Sequence, residues 1–208
     1  HDWYLSANLN NKNNLDTHLF PDLTFRGVPK NLKNSVYTFD YNDFEKLSEI
    51  ISNDKEVGII KMEVQRDKKP KNNFLKKVRK LANDNGVILI FDECTSGFRE
   101  TFGGLHLKYG VQPDLTVLGK TLGNGYAITA VLGTGSVMSA SQSTFISSTF
   151  FTERLGYMAG VAALEEMDRT KSWQVISRKG AAFKSRIRTL FDKYNMPLNV
   201  NGMDALVS

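Results

Sequence analysis

Cysteine, histidine and long apolar runs are all scarce in this chain, and each scarcity excludes a class of protein. The only cysteine, Cys94, cannot pair within its own chain and offers no thiolate cluster for a metal, which fits a reducing compartment. His1, His18 and His106 are scattered, without ligand spacing. The longest apolar run, Val87-Ile88-Leu89-Ile90-Phe91, is far short of the roughly 20 residues a membrane span requires. No basic-then-apolar leader opens the chain, so it reads as soluble and cytoplasmic. What is present is a 41% hydrophobic composition over 208 residues, enough for one large domain, or one domain and part of another.

The formal net charge of +5 raises the question of a nucleic-acid partner. Many basic residues lie between Arg66 and Lys80, where Phe74, Leu75, Val78, Leu81 and Ala82 recur at helical spacing. That periodicity assigns the lysines to a solvated helix face. There is no aromatic interleaving and no recognised nucleic-acid module.

The order of elements is legible. Residues 1 to 35 are polar, with Asn8 to Asn14 rich in asparagine and Pro21 and Pro29 as breakers, and predict a long loop. Asp43 to Ser52 predicts a short helix, Val57 to Val64 a strand, Asn72 to Asn85 a helix closed near Gly86, and Val87 to Phe91 a strand. Leu115 to Leu118 and Ala127 to Leu132 predict strands hinged on Gly119 to Gly125. Arg154 to Asp168 and Ala181 to Tyr194 predict helices, and Pro197 to Ser208 a trailing strand. The pattern is that of an α/β fold with a mostly parallel sheet and flanking helices.

Two strands end on ionisable groups. Val87 to Phe91 stops on Asp92-Glu93, and Leu115 to Leu118 stops on Gly119-Lys120-Thr121. Open α/β sheets place ligands at the carboxyl ends of their strands, so a carboxylate and an amine there suggest chemistry. A phosphate loop would need a glycine five positions before Gly119, and position 114 is Asp; the acidic strand also precedes the loop instead of following it. A nucleotide hydrolase is therefore disfavoured. Taken singly, Asp92 could cap a turn and Lys120 could be an exposed loop lysine.

The company these residues keep carries more. Phe91-Asp92-Glu93-Cys94-Thr95-Ser96-Gly97-Phe98-Arg99, Tyr109-Gly110-Val111-Gln112-Pro113-Asp114-Leu115 and Leu118-Gly119-Lys120-Thr121-Leu122-Gly123-Asn124-Gly125-Tyr126 together resemble the class III pyridoxal-phosphate-dependent aminotransferases, nearest to the glutamate-1-semialdehyde 2,1-aminomutase-like branch. The resemblance spans Val57 to Leu164, with His1 to Leu5 and Ser147 to Phe150 as further landmarks. It implies the central part of a fold type I large domain over residues 1–170, with 171–208 as a linker helix and the truncated start of a small C-terminal α+β domain.

The same resemblance implies the chemistry. Lys120 would form the Schiff base with pyridoxal 5'-phosphate and then serve as general base, its pKa depressed by partial burial and the cofactor ring. Asp92 would keep the ring nitrogen protonated and have a lowered pKa itself. Cys94 would pack on a face of the ring, or be a plain core cysteine. Thr95 stands where relatives carry Gln or Met near the cofactor oxygen. Thr149 resembles the threonine that donates to the cofactor phosphate of a neighbouring subunit, which implies a homodimer with shared sites; a cap serving only its own helix is the plainer reading. Glu63 resembles an acid on the substrate side, and Arg26 and Arg99 are candidates to grip a substrate carboxylate. The substrate would be a small amino or keto compound. Family members are longer and carry a phosphate loop and a stacking aromatic upstream, so an internal fragment of such an enzyme is expected; the alternative is a catalytically incompetent fragment or scaffold of the same fold.

Overall fold

Side-chain amides organise the asparagine-rich opening that composition alone assigns to a loop. In the computed structural model, which describes residues 2–16 and 22–208, helix α1 (Asp2–Ser6) runs into a 3-10 turn at Ala7–Leu9. Asn8 is buried; its Nδ2 donates to Leu23 O at 2.8 Å and its Oδ1 accepts from Leu15 N at 3.1 Å, while Asn14 Nδ2 donates to Ala7 O at 2.8 Å. The amides thus satisfy backbone groups that a regular element would otherwise pair. Helix α2 (Phe44–Asn53) begins where expected. Asp43 caps it by accepting from Lys46 N at 2.9 Å, and Leu47 and Ile51 turn inward. This first compact unit ends at Glu56, and the second is Val57–Ser208. His1, His18 and Pro21 lie outside the described residues.

The second unit opens with a β-α-β element, β1 (Ile59–Glu63), α3 (Phe74–Asn85) and β2 (Ile88–Glu93). Helix α4 (His106–Tyr109), β3 (Leu115–Leu118) and β4 (Ala130–Gly133) follow. The sheet order is β1-β2-β3-β4; the first three strands are parallel and β4 is antiparallel to β3. Helix α3 buries Phe74, Leu75, Val78 and Ala82, and Gly86, at φ 66°, closes it by donating to Ala82 O and Asn83 O. β4 starts three residues later than the apolar pattern predicts, because the backbone before it is spent on the preceding turn: Ile128 N donates to Tyr126 O at 2.9 Å.

Asp114 locks β3 in place. Its Oδ2 accepts from Leu89 N at 2.7 Å and from Arg79 at 2.8 Å, while its own N–H donates to Leu89 O at 2.9 Å. Burial pushes its carboxyl upward, but the Leu89 N–H and the Arg79 guanidinium outweigh that and hold it below the usual carboxylate range.

After a short α5 (Gly135–Met138) and a 3-10 turn at Ser139–Ser143, helix α6 (Arg154–Thr170) packs Met167 against Phe98, Leu118 and Leu122. Helix α7 spans Ser172–Lys193, nine residues longer at its start than Ala181 suggests. Gly180, one residue before the predicted start, is mid-helix. A Cβ there would lie 1.6 Å from Asp204 O, so the glycine serves close approach of the C-terminal hairpin. The trailing strand is that hairpin, β5 (Gly202–Met203) against β6 (Leu206–Val207). Buried Lys184 holds it through Gly202 O at 2.8 Å and Asp204 at 3.2 Å.

Candidate active site

Strand alternation divides the acid pair at the end of β2. Glu93 pairs with Leu118 on the covered face and is fully buried. It accepts from Ser96 Oγ at 3.0 Å, His106 N at 3.1 Å, His106 Nδ1 at 2.6 Å and Leu105 N. A Cβ on Gly104 would lie 2.6 Å from Glu93 Oε1, so the loop can wrap this carboxylate only with glycine there. Glu93 is therefore an anchor for the 95–106 loop.

Asp92 points the other way, toward the more open face, between Glu63 of β1 and Val117 of β3 in the same row. Val117 is three residues before Lys120, so the parallel register brings Asp92 and Lys120 to one carboxyl edge. Asp92 Oδ1 accepts from Cys94 N at 3.2 Å and Oδ2 accepts from Lys61 Nζ at 2.8 Å. Burial raises its carboxyl, but Lys61 and the Cys94 N–H outweigh this and lower it below the ordinary value. The expected direction is found, with Lys61 as the cation.

Lys120 stands at φ 29°, and its Nζ donates to the buried Thr95 Oγ1 at 2.7 Å. The partial burial expected of Lys120 is not found: the residue is exposed, because it emerges on the loop beyond β3. Gly119 lets that loop close on Cys94, since a Cβ there would sit 3.1 Å from Sγ. Burial first, and then Asp92, push the Cys94 thiol up, which favours its neutral form. Lys120, Asp92, Cys94 and Thr95 thus form one cluster.

Glu63 belongs to the same cluster. Burial raises its carboxyl against the lowering effect of Arg66, 3.3 Å away, and the charges of Asp92 and Lys120 both reach it. Arg99 is close by, donating from Nε to Thr95 O at 2.5 Å. It lines a cavity of about 430 Å3 with Phe98, Lys120, Thr121, Asn124 and Gly125, walled by α6. Arg26 falls in the first unit. Thr149 lies in an exposed segment whose hydrogen bonds are local, such as Phe150 N to Ser148 Oγ at 3.2 Å. The cap of α6 is Glu153, which accepts from Leu155 N and Gly156 N at 3.1 Å each, so Thr149 does not cap its own helix. Lys61 escaped the sequence reading. Its signal was a charged residue inside Ile59-Ile60-Lys61-Met62, on the alternation that also carries Glu63.

An α/β sheet with an amine and a carboxylate at one carboxyl edge defines an enzyme-like site of the ligand-crevice type. The chain belongs to the class-III aminotransferase family, whose model matches residues 67–208. It is 36% identical over 187 residues to a 3-aminobutyryl-CoA aminotransferase of Cloacimonas acidaminovorans, covering 85% of this chain and 44% of that protein. It is 33% identical over 181 residues to a glutamate-1-semialdehyde 2,1-aminomutase of Methanobrevibacter smithii, covering 82% and 43%. An omega-transaminase from Sphaerobacter thermophilus superposes with a TM-score of 0.79 at 25% identity, covering 89% of this chain and 45% of that one. The chain thus spans less than half the length of the curated relatives it matches.

Proposed function

We propose that this chain supplies the lysine-and-acid core of a pyridoxal-phosphate-dependent enzyme that moves an amino group, either between two molecules or between two carbons of one. The observation that carries the reading is the shared sheet edge, where Asp92 and Lys120 sit with Cys94 and Thr95 between them. The donor set fits the cofactor: a primary amine for its carbonyl carbon, and a carboxylate below the ordinary carboxylate range for its ring nitrogen. When bound, pyridoxal phosphate supplies a carbonyl carbon that links amines and a ring that accepts electrons as a substrate proton departs.

Within that scheme Nζ of Lys120 carries the proton to and from the substrate carbon, and Thr95 Oγ1 holds it at 2.7 Å between transfers. Asp92 holds a proton at the ring nitrogen by staying ionised. Cys94 packs at the ring as a neutral thiol, and Arg99 beside the cavity suits the carboxylate of a small amino or keto acid. Thr149 is assigned to the phosphate of a second copy, making the active unit a homodimer. The exposed Phe145, Phe150, Phe151 and Met158 around it support a face that a second copy covers. Residues 171–208 are read as the start of the smaller domain. Among the described residues no helix is long and apolar enough to cross a membrane, and the cytoplasm is the compartment we assign.

The test is to titrate the protein with pyridoxal phosphate, follow the visible absorbance, reduce with borohydride and map the modified lysine. Label on Lys120, lost in Lys120→Ala, is the expected result. A folded protein that takes no label, or takes it elsewhere, overturns the reading in favour of a scaffold.

A further inference from the structure

Asp92 is already engaged by an ammonium of its own chain. Lys61 Nζ lies 2.8 Å from Asp92 Oδ2, and Cys94 N holds the other oxygen at 3.2 Å. Both ends of the carboxylate are fixed, so its plane is set before any ligand arrives. A carboxylate has about four lone-pair positions, so these two donors leave room for a further one. Lys61 stands inside a strand whose neighbours are Ile59, Ile60 and Met62, and the parallel register sets it on the face of Asp92, beside Ile90 and one pleat from Glu63.

We propose that Lys61 is a positioning residue that shares the Asp92 carboxylate with the cofactor's ring nitrogen and thereby weakens that nitrogen's hold on its proton. The proposal rests on the reading of Asp92 as the ring partner. An acid facing a ring nitrogen alone gives that nitrogen its full negative charge. Here an ammonium takes part of that charge and also repels a protonated ring, and both effects have the same sign. Among the described residues, the other charged or titratable groups at this edge are Glu63 of β1, Arg66 and Asp67 just beyond it, Cys94 after β2 and Lys120 after β3. Arg66 is paired with Glu63 at 3.3 Å and Lys120 is bonded to Thr95, so among the described residues Lys61 is the cation in direct contact with Asp92. Its side chain is 60% exposed, so the effect is at the lower end of what a neighbouring charge produces.

The experiment reconstitutes the protein, Lys61→Met, Lys61→Gln and Lys61→Arg with pyridoxal phosphate and follows the visible absorbance against pH. Removing the ammonium favours protonated cofactor, so the midpoint rises by roughly 0.5 to 1 pH unit in the two neutral variants. The arginine variant keeps the wild-type midpoint, since it keeps the charge. Two neutral variants are used so that one that fails to fold leaves the other to decide. A midpoint unmoved or lowered in the folded neutral variants overturns the role of Lys61 while leaving the cofactor reading standing. A wild-type protein with no visible band overturns the cofactor reading, and this proposal with it.

Discussion

At the residue scale, neighbouring acids in this chain have opposite jobs because a strand turns successive side chains to opposite faces. Asp92 meets the open edge and Glu93 is sealed among Ser96, Leu105 and His106. Asp114 shows what a structural carboxylate contributes. It ties β2, β3 and α3 together through Leu89 N–H and Arg79, in a setting only a quarter exposed. Asp114→Ala should cost about 2 kcal/mol at pH 7, the worth of charge-assisted hydrogen bonds with one partner left buried. Because the folded carboxyl lies below its unfolded value, its contribution is present above about pH 4 and lost as pH falls through the folded value. Urea melts at pH 7 and pH 3 check this: the gap between wild type and variant should shrink in acid, and a gap that widens would refute the assignment.

Elements differ in how openly the sequence declares them. β1, α3, β2 and β3 were legible because period-2 and period-3.6 patterns are local, and the two strand ends followed from them. The first turns of α7 were not, because a glycine weakens a local helical pattern and the reason for Gly180 is a distant contact with Asp204. The Lys61 to Asp92 pair was hidden for a similar reason: it depends on the register between strands 31 residues apart. Gly180→Ala separates the two meanings of that glycine. As a helix residue Ala would stabilise α7 by about 1 kcal/mol. As a contact residue it collides with Asp204 O, and the hairpin Gly202–Val207 must detach. The expected outcome is a lowered melting temperature and faster amide exchange in the hairpin with α7 retained; a stabilised protein would contradict the packing role.

At the scale of the whole molecule, the assignment of Thr149 decides whether a site is built from one chain or two. Phe145 is 96% exposed and Phe150 70%, on the segment that carries Thr149, which favours a covered interface over a free loop. Complementation distinguishes the alternatives. On the proposed assignments, Lys120→Ala and Thr149→Ala would each impair every site of their own homodimers. If Thr149 serves the neighbour's site, a mixed dimer has one site with both changes and one with neither. Random re-association then restores roughly a quarter of wild-type activity, since about half the dimers are mixed and each has one intact site of two. If Thr149 serves its own chain, both sites of a mixed dimer remain defective and mixing restores nothing. Measuring turnover and dimer mass on the unfolded and refolded mixture yields both numbers, and a mixed dimer without recovered turnover removes Thr149 from the shared site.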